Sequence, residues 1–200
     1  MDDIIRILAE ELGQKQVYIE NVVNLLAEGN TIPFIARYRK EMHGSMDDTT
    51  LRNLETRLNY LRNLQERKEE VLKSIENQGK LTEELKASVN SAVTLAEVED
   101  LYRPYKQKRR TRATMAKEKG LEPLALDIFL QDGRNPEELA KSYIDSEKGV
   151  NSLEDALAGA SDIIAEMISD DADIRKALRE MLERKASLSV QAVDPDKESV

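Results

Sequence analysis

Residues 51–78 read LRNLETRLNYLRNLQERKEEVLKSIENQ and carry the longest helical pattern in the chain. Apolar side chains recur there every three or four residues, at Leu51, Leu54, Leu58, Leu61, Leu72 and Ile75. This spacing aligns them along one face of an α-helix, which at 1.5 Å per residue extends roughly 45 Å. Gln65 and Lys68 interrupt the apolar stripe where the heptad register predicts apolar residues. Gly79 predicts the end of the helix.

A second helix is predicted after Gly79, beginning at Thr82 and presenting Leu85, Val89 and Val93 as its apolar stripe. The turn between the two helices is short, so they are expected to lie side by side and antiparallel. Residues 46–100 therefore predict a long helical hairpin or short coiled coil. A long parallel dimer is disfavoured because the heptads fail within about three repeats.

The N-terminal residues 1–45 predict three short helices separated by tight turns. Gly13 interrupts the first apolar pattern, the second fits 15–28 before Gly29, and the third has Thr31 as its cap and Pro33 in its first turn. This spacing is typical of a helix-turn-helix-like unit. An ordinary helical bundle fits the same pattern, so both interpretations stay open.

Residues 101–187 predict a basic loop followed by a helical scaffold. Pro104 prevents a continuous helix through the loop, and two longer helices are expected over 152–169 and 171–186. Residues 188–193 alternate apolar and polar side chains, as a strand does. A strand needs a partner, so the tail 188–200 is expected to be disordered or to lead to partner strands beyond Val200. The fold class predicted is all-α with this strand-like tail.

The composition predicts a soluble protein with one basic stretch on an acidic body. Charged residues make up 34% of the chain and its net charge is −9, which argues against a nucleic-acid partner for most of the surface. Residues 101–120 are different, because they hold eight Lys or Arg against one acidic residue. There is no cysteine, no apolar run of the roughly 18 residues that would span a membrane, and no basic leader. A cytoplasmic location without membrane contact is expected.

No catalytic centre, cofactor site or metal site is predicted. His43 is the single histidine, and there is neither a Gly-x-Ser-x-Gly elbow nor a glycine-rich phosphate loop. The acids Asp170, Asp171 and Asp173 lack the spacing of a calcium loop. Acidic residues at a helix start more simply compensate the helix dipole.

Two groups of cations are candidate nucleic-acid contacts. The first lies in one short run, at Lys106, Lys108, Arg109, Arg110 and Arg112. Such a cluster needs counter-charges, and either phosphates or acidic helices of the same chain can supply them. Tyr102 and Tyr105 stand beside it and could stack on unpaired bases.

The second group is Arg37, Arg39 and Lys40 in the third predicted helix. Its cations are expected to fan out around the apolar stripe formed by Ile32, Phe34, Ile35 and Tyr38. Tyr38 is then expected to pack in the core rather than to stack on a base.

Several motifs resemble the Tex family of transcription-accessory proteins, in the family's order along the chain. They span about residues 30–185 and include 33–41 (PFIARYRKE), 51–61 (LRNLETRLNYL), 99–106 (EDLYRPYK), 120–125 (GLEPLA) and 155–166 (DALAGASDIIAE). The chain is thereby identified as similar to the helical N-terminal part of that family.

The resemblance implies a helix-turn-helix-like unit, a projecting coiled-coil hairpin and part of a central helical scaffold. It further implies RNase H-like, helix-hairpin-helix and S1 RNA-binding domains beyond Val200. RNA or DNA would then be bound mainly by those domains and weakly by this chain, and transcription-machinery proteins would be further partners. Two alternatives stay open, which are a dedicated DNA-binding helix-turn-helix module in residues 1–43 and a fragment of a nuclease-like enzyme.

Overall fold

The computed structural model describes residues 2–106 and 109–191, and within these ranges all regular structure is helical. They contain eleven α-helices, three short 3₁₀ turns and one isolated antiparallel bridge, between Asp145 and Val150. This confirms the all-α prediction. The chain divides into two compact units, an N-terminal unit of Met1–Val98 and a C-terminal unit of Glu99–Val200. The four-part division at 45, 100 and 187 stays a prediction.

The helices of the N-terminal unit are α1 (Asp2–Leu12), α2 (Gln16–Ala27), α3 (Ile32–Tyr38), α4 (Asp48–Asn77) and α5 (Glu83–Ser91), and α6 (Leu95–Tyr102) begins in it. Local signals set their ends. The side chain of Asp47 accepts from the Thr50 amide at 2.7 Å, and that of Thr82 accepts from the Leu85 amide at 3.2 Å, so both satisfy amides that the first helical turn leaves free. Thr31 precedes α3 but makes no such bond.

The core of the N-terminal unit forms where α1, α2 and α3 meet the first half of α4. Its fully buried side chains include Leu8, Ile19, Ile35, Leu51, Leu54 and Leu58. Each contributes roughly 1.5–3 kcal/mol by leaving water. The predicted leucine stripe of α4 is therefore the surface on which the shorter helices assemble.

The second half of α4 packs against α5 through a buried lysine. Lys68 Nζ donates to the Asn90 carbonyl oxygen at 2.7 Å, in the last turn of α5, where carbonyl groups are free and partly negative. Burial lowers the pKa of Lys68, which the charge of Glu97 partly offsets. Lys68 thus links the two helices at a position that the heptad register assigns to an apolar residue.

The return arm of the predicted hairpin is short. Helix α5 has nine residues against thirty in α4, and the chain bends before α6. Val89 is buried as predicted, but the prediction for Val93 is wrong because it lies beyond the end of α5 and is 66% exposed. Ala92 takes the buried position instead.

The C-terminal unit contains the rest of α6 and five further helices, α7 (Arg112–Glu118), α8 (Glu122–Phe129), α9 (Pro136–Ala140), α10 (Leu153–Asp170) and α11 (Ala172–Lys185). Pro104 does end the helix before it, since a 3₁₀ turn over Arg103–Tyr105 replaces further α-helix.

Helix α10 is the centre of this unit and packs on α7, α8 and α9 through small side chains. Its buried residues are Ala156, Ala160 and Ile163. The predicted stripe (Leu153, Leu157, Ile164 and Ile168) lies at the edge, half-buried or exposed. Gly159 explains the shift, because a Cβ there would stand 2.3 Å from Leu121 Cδ1. Because Leu121 packs this closely against Gly159, the face of α10 that carries Gly159, Ala156 and Ala160 is the one that packs in the core.

Helix α11 buries none of its residues. Its predicted apolar stripe, Ile174, Leu178, Met181 and Leu182, is 38–55% exposed, which contradicts a core position in this chain. A polar clasp holds the helix instead. Asp100 Oδ1 accepts from Arg175 Nε at 2.6 Å, and its other carboxylate oxygen accepts from Arg179.

The strand-like tail is not formed in its described part. Residues 188–191 have no regular structure, because alternation alone does not stabilise a strand without a neighbour and none lies beside it in residues 2–106 and 109–191. Residues 188–191 thus form no strand in this chain, which agrees with the expectation that the pattern needs a partner, and residues 192–200 lie outside the described ranges.

Candidate nucleic-acid interface

The basic segment, residues 106–112, lies between the 3₁₀ turn at Pro104 and the start of α7. Thr111 caps α7, with its hydroxyl accepting from the Thr114 amide at 3.0 Å, and Arg112 is the first residue of that helix. Lys106, Arg109, Arg110 and Arg112 are exposed. Lys108 lies outside the described residues.

Most of the described cations here pair with acids of the same unit. The closest nitrogen–oxygen distances are 3.8 Å for Lys106 with Glu99, 2.6 Å for Arg110 with Glu118 and 3.7 Å for Arg112 with Asp162. Arg109 has no acidic partner among the residues that the structure describes. Exposed pairs of this kind contribute roughly 0–1 kcal/mol and weaken in salt. Internal pairing therefore occurs, but it holds the cations too weakly to exclude phosphates.

One side of the basic segment faces an acidic stripe on α10. Asp162, Glu166 and Asp170 follow one another at intervals of four residues and line a groove of about 440 Å³ opposite the segment. Glu166 accepts from the Thr111 hydroxyl at 3.1 Å, and Asp170 lies 3.2 Å from Arg103. Arg103, Lys106 and Arg112 line the same groove, so its three cations and three carboxylates balance and it has no excess positive charge for a phosphate. Tyr102 and Tyr105 are half-buried, which limits their use as stacking surfaces.

The second group of candidate residues lies at the end of α3, with Arg37 in its last turn and Arg39 and Lys40 just beyond its last residue. Arg37 and Lys40 line a shallow groove of about 380 Å³ with Pro33, Ala36 and Asp48. The prediction that the cations fan out is wrong for these two. The guanidinium of Arg39 lies over the Phe34 ring, 5.3 Å from its centroid, and donates to the Tyr38 carbonyl oxygen at 3.1 Å.

Tyr38 is 57% exposed, so its predicted place in the core is wrong. Its ring lies 5.2 Å from the ring of Phe34. At about 100° per residue, positions 34 and 38 fall on a different side of the helix from positions 32 and 35. Ile32 and Ile35 occupy the core, and the aromatic pair faces outward. The angular position of each residue around the helix identifies Tyr38 as a surface residue, whereas its apolar character alone does not.

The residues considered for catalysis or metal binding were His43 and the acidic residues around the start of α11. His43 is buried, with neither ring nitrogen hydrogen-bonded to any described residue. Asp171 caps α11 by accepting from the Ile174 amide at 2.8 Å. Among residues 2–106 and 109–191, no three His, Asp or Glu side chains come together as a metal site. The same ranges contain no helix with the length and apolarity needed to cross a bilayer.

Comparison with protein families yields two matches. Residues 2–76 match the Tex-like protein N-terminal domain, and residues 131–200 match the Tex central region-like family. The first match contains helix α3, the second contains helices α9, α10 and α11, and the basic segment lies between the two matches in the sequence.

Individual relatives agree with these matches. The chain is 45% identical over 192 residues to the transcriptional accessory protein Tex of Neisseria gonorrhoeae, covering 96% of the chain and 25% of that protein. It is 49% identical over 179 residues to protein tex of Bordetella pertussis, covering 90% of the chain and 23% of that protein. It is 31% identical over 186 residues to the S1 RNA-binding domain-containing protein 1 of Homo sapiens, covering 92% of the chain and 18% of that protein. The chain spans about a quarter of the length of the first relatives. It belongs to the Tex family and corresponds to its helical N-terminal region.

Proposed function

We propose that this chain is a scaffold and interaction region of a transcription-associated, nucleic-acid-binding protein, without catalysis of its own. Within it, the basic segment binds the phosphates of RNA or DNA weakly. The remainder of the longer protein makes the main nucleic-acid contacts. The helical surfaces are available to proteins of the transcription machinery.

The observation that carries this proposal is the state of the cations in the basic segment. Arg109 has no acidic partner among the described residues, and Arg110 and Arg112 are held only by exposed ion pairs. Binding to a polyanion replaces those weak pairs and releases condensed counterions, which is a favourable exchange at low salt. The names of two relatives, a transcriptional accessory protein and an RNA-binding-domain protein, agree with this chemistry.

A salt series tests the proposal on the 200-residue chain. The dissociation constant for a labelled 12-nucleotide single strand is measured between low and physiological salt. The parent is compared with a triple variant, Arg109→Gln, Arg110→Gln and Arg112→Gln. Each lost phosphate contact is expected to reduce the slope of log affinity against log salt by about 0.7. The triple variant is therefore expected to lose up to about 2 from the slope and to bind at least about tenfold more weakly at low salt.

The matched control removes three exposed cations from other surfaces, by Lys73→Gln, Lys86→Gln and Lys176→Gln. It has the same change in net charge, so a general electrostatic effect would weaken both variants equally. Equal losses, or no binding by the parent at low salt, would exclude the basic segment as a phosphate contact.

A second candidate function is a DNA-reading helix-turn-helix module in residues 1–43. One observation favours it, since Arg37, Arg39 and Lys40 are exposed rather than buried in ion pairs. It predicts tighter binding to duplex DNA than to a single strand of the same length, and duplex competition in the same titration tests it.

A further inference from the structure

We propose that the exposed side chains at the end of α3 bind unpaired nucleotides of a single-stranded nucleic acid. Tyr38 would supply the stacking surface for a base, and Arg37 and Lys40 would neutralise the adjoining phosphates. This inference deepens the proposed function and rests on it, because it requires that the chain binds nucleic acid. The set Phe34, Arg37, Tyr38, Arg39 and Lys40 is called the α3 platform.

The aromatic part of the α3 platform is already arranged for stacking. Tyr38 is exposed over more than half of its surface. Phe34 supports it, at 5.2 Å between centroids and with the ring planes tilted by 48°. Arg39 lies over Phe34 and so covers that ring, leaving Tyr38 as the accessible ring. Stacking on such a ring suits any base, since each base has a π face.

The charges of the α3 platform complement a phosphate backbone. Arg37 and Lys40 line a shallow groove with Pro33, Ala36 and Asp48, on a side of α3 that neither ring lines. Neither cation has an ion-pair partner among the described residues, and Arg37 directly precedes Tyr38 in the chain. Asp48 also lines that groove, but its carboxylate is 2.7 Å from Arg52 and is therefore neutralised. Glu41 is the nearby acid along the chain and is exposed. Two cations with an exposed aromatic ring form the combination that proteins use for single strands.

A single strand fits the α3 platform better than a duplex. Helix α3 has seven residues, about 10 Å at 1.5 Å per residue, and its cations lie in its last turn and just beyond it. In a duplex the faces of internal bases are stacked on their neighbours, so an exposed tyrosine has nothing to stack on. Unpaired bases are free to do so.

Substitution of Tyr38 tests the inference by fluorescence anisotropy with a labelled 12-nucleotide oligouridine and a 12-base-pair duplex. Tyr38→Ala is expected to weaken single-strand binding roughly tenfold and to leave the salt slope unchanged, because the ring carries no charge. Tyr38→Phe keeps the ring and is expected to bind like the parent. Arg37→Gln with Lys40→Gln is expected to lower the salt slope, by up to about 0.7 for each contact.

Phe129→Ala is the matched control, because Phe129 is an exposed aromatic residue at 47% that lies on another helix. The thermal midpoint of each variant is compared with the parent's, and no shift is expected at the exposed Tyr38. The inference is overturned if Tyr38→Ala and the parent bind alike, if Phe129→Ala loses as much, or if the duplex binds more tightly than the single strand.

The two proposals fail in different ways. If the triple substitution in the basic segment weakens binding as expected and Tyr38→Ala does not, only the proposed binding by the α3 platform is excluded. A tenfold loss in Tyr38→Ala with no effect of the triple substitution supports the α3 platform and removes the basic segment. Absence of binding by the parent at low salt overturns both.

Discussion

Replacing Asp100 with Asn is expected to lower the free energy of unfolding of the C-terminal unit by about 3 kcal/mol. Asp100 is only 4% exposed and accepts hydrogen bonds from Arg175 and Arg179, both on α11. An amide cannot neutralise two guanidinium groups, and its nitrogen would face one of them. Because α11 buries no residue of its own, loss of the clasp is expected to release this helix first.

Urea denaturation followed by circular dichroism measures the loss of free energy of unfolding. Faster hydrogen exchange of the α11 amides would show that the loss is greatest in this helix. Glu118→Gln is the control, since it breaks an exposed ion pair of the same unit and is expected to cost less than about 1 kcal/mol. A cost for Asp100→Asn no larger than that of the control would show that the clasp does not hold α11.

The same clasp makes stability depend on pH in the acid range. Burial raises the pKa of Asp100, but the hydrogen bonds and charges of Arg179 and Arg175 lower it by a larger amount. The pKa of Asp100 therefore lies below the ordinary value. A carboxylate whose pKa is lower in the folded state stabilises the fold above its unfolded pKa, near about 4. That contribution is lost as the pH falls through the folded value. The difference in free energy of unfolding between the parent and Asp100→Asn should therefore become smaller below about pH 4. A difference that does not change with pH would show that the charge of Asp100 is not its cause.

Gly44→Ala is expected to destabilise the N-terminal unit by about 3 kcal/mol, an effect of similar size. Gly44 has φ of +62°, and a Cβ there would lie 2.5 Å from two ring carbons of Tyr18. The left-handed conformation costs an alanine roughly 1–2 kcal/mol, and displacing a packed ring adds a cost of overpacking, typically about 1–3 kcal/mol.

Gly29→Ala separates these two costs. Gly29 has φ of +87°, but a Cβ there would meet nothing within 4 Å, so this variant is expected to lose only about 1 kcal/mol. Thermal and urea unfolding of both variants measure the difference. Equal destabilisation would mean that the Tyr18 ring moves aside freely and that backbone conformation accounts for the whole effect.

The helices were predictable from the sequence because their ends are set by local chemistry. Asp47, Thr82 and Thr111 each cap the helix that follows them. Which face of a helix is buried depends on distant partners. Helix α10 turns Ala156 and Ala160 inward, on the side where Leu121 approaches Gly159, and no periodicity within α10 contains that information.

The sequence predicted which residues of the candidate site are basic, but not which acidic residues they pair with. The cations of residues 106–112 are evident in the sequence, whereas the pairing of Arg112 with Asp162 joins residues far apart in the chain. The Asp100 clasp likewise joins residues separated by more than seventy positions. Tyr38 is the exception, because helical geometry alone separates it from the buried Ile32 and Ile35.

The central claim, that this scaffold binds single-stranded nucleic acid through two defined surfaces, is tested most directly by amide NMR. Spectra of the ¹⁵N-labelled chain are recorded during titration with a 12-nucleotide oligouridine at low salt. The account predicts that chemical-shift changes concentrate in the basic segment and the α3 platform and that added salt reverses them. Unchanged spectra, or changes centred on the acidic face of α10, would contradict it.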